Sequence, residues 1–182
     1  MTDVLTRPTA PSAGRPHTLR RLGSTLLYDA LLVPAGVQAM ADAMLGEEET
    51  AARRWRRLGA RGAQSMSNAR TFGYGLLSAV LGLTNWFVML LMVLALVRGP
   101  FWGLVEHGPV QPGTWGGPTR AGAWAAHGLI AVPCIVVFLF ALRGIAAVHT
   151  LLVQGTNKWV LPATIVLAAG SLAFFWSWLQ QL

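Results

Sequence analysis

Residue types able to do acid–base or metal chemistry are few in this chain and far apart. After Glu49 the only carboxylate side chain is Glu106, so a two-carboxylate acid/base pair is unavailable outside the N-terminal region. The histidines, His17, His107, His127 and His149, are widely separated. Glu106, His107 and His127 together have the types for a metal or proton-sensing cluster. The plainer reading, solvated loop residues and a helix-end histidine, is preferred. Cys134 stands alone in an apolar run, so neither an internal disulfide nor a thiol metal site can be assembled. No G-x-S-x-G, P-loop, dinucleotide fingerprint or H-E-x-x-H occurs. The expectation is a non-enzyme without cofactor or metal.

What remains is recognition chemistry. Trp102, Glu106, His107, Trp115 and Arg120, with His127 just beyond, concentrate aromatic and charged groups in a Gly/Pro-rich stretch and form the candidate signal site. Arg53, Arg54, Arg56, Arg57 and Arg61 form a basic cluster suited to anionic headgroups. Asn85, beside Thr84 and Trp86 in an apolar run, is the candidate interhelical polar contact. Gly75 with Ala79, and Ser78 with Gly82, have the small-xxx-small spacing that lets helices approach closely within or between protomers, so a homodimer is compatible.

These residues are positioned by elements that suit lipid rather than water. Hydrophobic residues are 54% of the chain and charged residues 12%, and the apolar residues come in blocks. Uncharged apolar runs of about 18 residues or more read as transmembrane helices. Such spans are predicted at 74–97, 124–142 and 160–179, with an external loop at 98–123. Pro133 lies inside the second span, where neighbouring helices can satisfy the freed carbonyl. A half-apolar helical stretch follows Arg143, with Ile145, Val148 and Leu152 at helical spacing, and Lys158 and Trp159 anchor the third span. Arginines packed from Arg53 to Arg70 against the first span mark its cytoplasmic end. The plasma membrane is therefore expected to hold the N-terminus inside and the C-terminus outside.

The N-terminal third is less uniform. Residues 1–22, with Pro8, Pro11 and Pro16, read as a disordered cytoplasmic tail. In residues 24–45, Asp29, Gln38 and Asp42 interrupt an apolar block, and Pro34-Ala-Gly36 is expected to break a helix. A full span, a cleaved signal peptide and an interfacial or re-entrant segment compete, and the third is favoured by the positive-charge bias. Residues 47–61 read as a helix with Arg53, Arg57 and Arg61 on one face and Ala51, Trp55 and Leu58 on the other. Glu49 lies four residues before Arg53, and the two-faced pattern is that of a helix on the cytoplasmic leaflet. Ten of the 14 Lys and Arg residues fall in the first 70, beside membrane segments, and no nucleic-acid motif accompanies the net charge of +7. Nucleic acid is not an expected partner; anionic lipid is.

The order of parts carries a resemblance. Asn68-Ala-Arg-Thr-Phe72 leads into a long span, Phe101-Trp-Gly makes an external turn, and Leu142-Arg-Gly-Ile-Ala-Ala-Val-His149 closes the returning span. Residues 68–153 thus resemble one hairpin of the sensor-domain family of actinobacterial membrane proteins, which is often fused to or encoded near histidine kinases. Family members commonly carry two hairpins; here the first is missing or reduced to residues 24–45. The third span lies outside the resemblance, and any kinase is expected to be a separate partner.

The fold expected is all-α: an integral membrane protein with three transmembrane helices at 71–182, preceded at 23–70 by interfacial and amphipathic helices. Residues 24–45 are a candidate fourth embedded segment. The resemblance implies a small membrane sensor or signalling component that passes a change to a separate partner, a kinase or a membrane complex. An accessory or assembly subunit of a larger complex, such as a transporter, is the alternative.

Overall fold

The computed structural model describes residues 17–111, 113–155 and 158–180, with the backbone alone for 17–22 and 178. The disordered tail expected from the sequence falls largely on residues 1–16, outside the described residues. Among the described residues six helices follow in order: α1 His17–Leu45, α2 Glu48–Leu58, α3 Asn68–Arg98, the single turn α4 Trp102–Val105, α5 Arg120–Gln154 and α6 Val160–Leu179. No strand occurs among the described residues.

Three of these helices, α3, α5 and α6, are long and apolar enough to cross a membrane. Their apolar side chains mostly point away from the protein: 17% of the most apolar window of α3 and of α5 is buried, and 11% of that of α6. The buried positions instead include Asp29, Ser78, Asn85 and His149. An apolar exterior over an interior that buries these polar groups beside Leu32, Leu81 and Leu142 is a distribution that suits lipid as solvent, where polar groups must find partners internally. The chain is built as a multi-pass membrane protein.

The sequence expectations need correction at several points. α1 is one helix, not a segment broken at Pro34, and it starts at His17, inside the expected tail. A proline removes its own N–H and frees the carbonyl four residues back, here that of Ala30. The Trp86 indole Nε1 donates to that carbonyl at 3.0 Å, so α3 supplies the bond that the α1 backbone lacks. The second span and the half-apolar stretch after Arg143 are one continuous helix, α5, ended by Gly155 in the left-handed region at φ 64°. The loop at 98–123 contains α4 and closes where Thr119 caps α5, its hydroxyl accepting from Gly122 N at 3.1 Å.

α1 runs antiparallel along the first half of α3. Asp29 meets Asn85, Val33 meets Gly82, Gly36 meets Gly75 and Ala79, and Met40 meets Gly75. A Cβ on Gly36 would lie 2.5 Å from the Gly75 carbonyl oxygen, and one on Gly82 would lie 2.6 Å from Val33 N. The small residues thus bring two backbones of one chain together, which uses this surface within the protomer rather than between protomers.

α2 folds back on α1. Its apolar face does not lie on a leaflet as expected: Ala51, Ala52 and Trp55 are buried, and Ala51 and Trp55 pack with Ala39 of α1, Ala60, Ala63 and Val153 of α5. The basic face stays outward. Arg53, Arg57 and Arg61 are exposed, while Arg54 pairs with Asp42 and Arg56 pairs with Glu49 at 2.7 Å. Glu49 therefore reaches two helical turns along to Arg56, not one turn to Arg53. Arg53 Nη2 donates to Thr50 Oγ1 at 3.0 Å instead.

Candidate functional site

At one end of the bundle α3 turns through α4 into α5, and this turn is built from side chains rather than left as loose loop. Arg120, in the first turn of α5, donates to the backbone carbonyl of Gly103 at 2.9 Å and to that of Glu106. Trp124 Nε1 donates to the Pro100 carbonyl at 2.8 Å. Trp102 stacks on the His127 ring, centroids 4.9 Å apart and planes 15° from parallel.

His127 Nδ1 lies 2.7 Å from the Ala123 carbonyl, which can only accept, so Nδ1 carries a hydrogen. Beneath this turn a cavity of ≈ 450 Å³ opens between α3 and α5, walled by Leu91, Ala95, Arg98, Trp115, His127 and Cys134 among others. Its chemistry suits an apolar molecule with one polar group, for which His127 and Arg98 are the polar wall residues.

The predicted signal residues thus divide. Trp102, Trp115, Arg120 and His127 are gathered around the turn and cavity. The Glu106 and His107 side chains are exposed, and the His107 ring is held locally by the Val105 carbonyl at 2.9 Å. Glu106, His107 and His127 do not form a cluster: among the described residues no group of three His, Cys, Asp or Glu could hold a metal ion.

The second polar assembly lies inside the bundle toward the other end, where α1, α3 and α5 meet. Tyr28 Oη is 2.5 Å from His149 Nδ1, and Ser78 Oγ is 2.6 Å from His149 Nε2. Ser78 Oγ also donates to the Tyr74 carbonyl at 2.6 Å. A serine hydroxyl has one hydrogen, so both Ser78 bonds coexist only when His149 carries a hydrogen on Nε2; in that tautomer of the neutral ring Nδ1 accepts from Tyr28. The chain then reads in one direction: Tyr28 O–H to Nδ1, Nε2–H to Ser78, Ser78 O–H to the Tyr74 carbonyl. It fastens three helices through one imidazole.

Nearby, Asn85 Nδ2 donates to Asp29 Oδ1 at 2.9 Å, so the predicted interhelical polar contact has its partner on α1. Asp29 Oδ2 and Asn85 Oδ1 are both buried with no hydrogen-bond partner. The pair is therefore half satisfied. Its next residues, Trp86 and Ala30, make the bond that closes the Pro34 gap. The dipeptide Asn85-Trp86 docks as a unit on Asp29-Ala30.

Sequence reasoning did not select Tyr28, Asp29, Ser78 or His149 as site residues. The usable signal was an ionisable side chain within an apolar block, which by default marks a function or a specific partner in membranes. The partners themselves are 56 to 121 residues away, beyond any local pattern.

No family model, no curated protein and no solved structure matches this chain.

Proposed function

We propose that the chain is a small membrane sensor that receives a signal at the cavity under the α3–α4–α5 turn and reports it at the α1–α2 end. One observation carries the reading: α3 and α5 each run unbroken from the cavity wall to the Tyr28–His149–Ser78 chain. From His127 to His149 along α5 is roughly 30 Å at a rise of about 1.5 Å per residue. A ligand that separates or rotates the two helices at the cavity acts on the same helices that the buried imidazole joins, which is a two-state bias by differential binding. The output would go to a separate protein, a kinase or a membrane complex.

In this reading the arginine-bearing end faces the cytoplasm of a cell whose plasma membrane holds the protein, and the α4 turn faces outside. A Cys replacing Gln111 should then react with a membrane-impermeant maleimide added outside intact cells.

Hydrogen exchange in nanodiscs tests the sensor reading. Trp115→Ala should change exchange in residues 145–152, far from the substitution, while insertion persists. Unchanged exchange there removes the support for signalling. A second reading, an accessory subunit, is favoured by α6: a cleft of ≈ 800 Å³ lies between it and α3 and α5, and Phe174, Trp176 and Val166 are exposed. That reading expects stoichiometric copurification with a larger complex and silent loop substitutions.

A further inference from the structure

On α2, the residues at 50, 53, 54 and 57 fall within one face by the 100° helical step. The side chains of Thr50, Arg53, Arg54 and Arg57 line a cleft of ≈ 390 Å³ on the outer side of the α1–α2 hairpin. Two of its guanidinium groups are held in place: Arg53 by the Thr50 hydroxyl, and Arg54 by the Asp42 carboxylate. Arg57 makes no hydrogen bond or ion pair among the described residues and is exposed. Glu49, the other carboxylate with an arginine partner among the described residues, bonds Arg56, outside the cleft.

Three cations directed into one cleft repel one another unless an anion lies between them. Three guanidiniums less the Asp42 carboxylate leave two net positive charges. A guanidinium fork matches phosphate oxygens bidentately, and each retains N–H donors beyond those already used. We propose that this cleft binds one phosphomonoester group, whose charge of roughly −1.5 to −2 at neutral pH matches the site better than the single charge of a phosphodiester. The group is carried by a lipid headgroup or by a soluble phosphate ester. This is a discrete site, distinct from general attraction of a basic surface to lipid, and it does not rest on the signalling reading.

Native mass spectrometry of the detergent-purified full chain, with phosphatidic acid or phosphatidylglycerol at equal mole fraction, tests it. The expected result is one phosphatidic acid retained per chain, at least about fivefold in preference to phosphatidylglycerol. The double variant Arg53→Gln/Arg57→Gln should erase that preference with helical circular dichroism unchanged. Arg70→Gln, an exposed cation outside the cleft, should keep it. Equal retention of the two lipids, or equal loss from Arg70→Gln, overturns the proposal. Glycerol 3-phosphate, added as competitor, separates the sources: displacement at low millimolar concentration assigns a soluble ester, and no displacement assigns the lipid.

Discussion

Tyr28 Oη and His149 Nδ1 are 2.5 Å apart across 121 residues of chain, and their bond joins α1 to α5. Because His149 Nε2 also reaches Ser78 on α3, one imidazole ties three helices together. Tyr28→Phe removes the donor and leaves a buried nitrogen without a partner. Such orphaned groups cost about 1–3 kcal/mol. Denaturant titration in detergent should show a loss of that size, and a similar one for Ser78→Ala. Nitrogen-15 NMR of His149 should report the neutral form with hydrogen on Nε2. The opposite tautomer would contradict the direction of the chain.

Trp86 and Pro34 are expected to be energetically coupled. Trp86→Phe takes the hydrogen bond from the Ala30 carbonyl and should cost about 1–2 kcal/mol in the native background. In a Pro34→Ala background residue 34 has an N–H for that carbonyl, so the same change at Trp86 should cost clearly less. A double-mutant cycle measures the difference, and a coupling indistinguishable from zero would mean the indole does not compensate for the proline.

This coupling also explains what the sequence could and could not reveal. The spans of α3, α5 and α6 were legible because lipid imposes length and apolarity on each helix separately. The α6 bounds match expectation, and the charge-free runs could hardly be read otherwise. α1 was misread because Pro34 and Asp29 are unfavourable for a helix in isolation. Their partners, Trp86 and Asn85, lie on another helix, and nothing local shows that two misfits will meet. Likewise the Trp55 face of α2 has the pattern of a lipid-lying helix, yet an equally apolar protein surface was there to cover it. At the turn, composition pointed to Trp102, Trp115, Arg120 and His127, but not to the separation of Glu106 and His107 from them.

The Asp29–Asn85 pair makes a sharper test. Asp29 Oδ2 and Asn85 Oδ1 both lack a donor, so Asp29→Asn, which adds two N–H groups without changing size, should leave stability equal or higher. Asn85→Leu strands the acid and should cost about 1–3 kcal/mol or more. Replacing both by apolar residues should recover part of that loss. A strongly destabilising Asp29→Asn would show that the carboxylate has a role that an amide cannot fill.

Glycines should divide by what stands opposite them. Gly36→Ala and Gly82→Ala place a Cβ within 2.6 Å of α3 or α1 backbone and should each cost about 1–3 kcal/mol. Gly144→Ala meets nothing within 4 Å and should be neutral, or stabilising by up to about 1 kcal/mol through helix propensity. Thermal unfolding in detergent ranks the three. Equal effects would contradict the close α1–α3 crossing.

The central claim is that the cavity under the turn and the Tyr28–His149–Ser78 junction are coupled through α3 and α5. Cys134 lines that cavity, so Cys134→Trp fills it while Cys134→Ala leaves it open, and both remove the one native thiol. Spin labels placed at Arg57→Cys and Ala147→Cys, both exposed at the far end, report the distance between α2 and α5 by pulsed electron paramagnetic resonance in nanodiscs. The account predicts that filling the cavity shifts this distance distribution. Superimposable distributions for the filled and open cavities, in proteins that both insert, would contradict it.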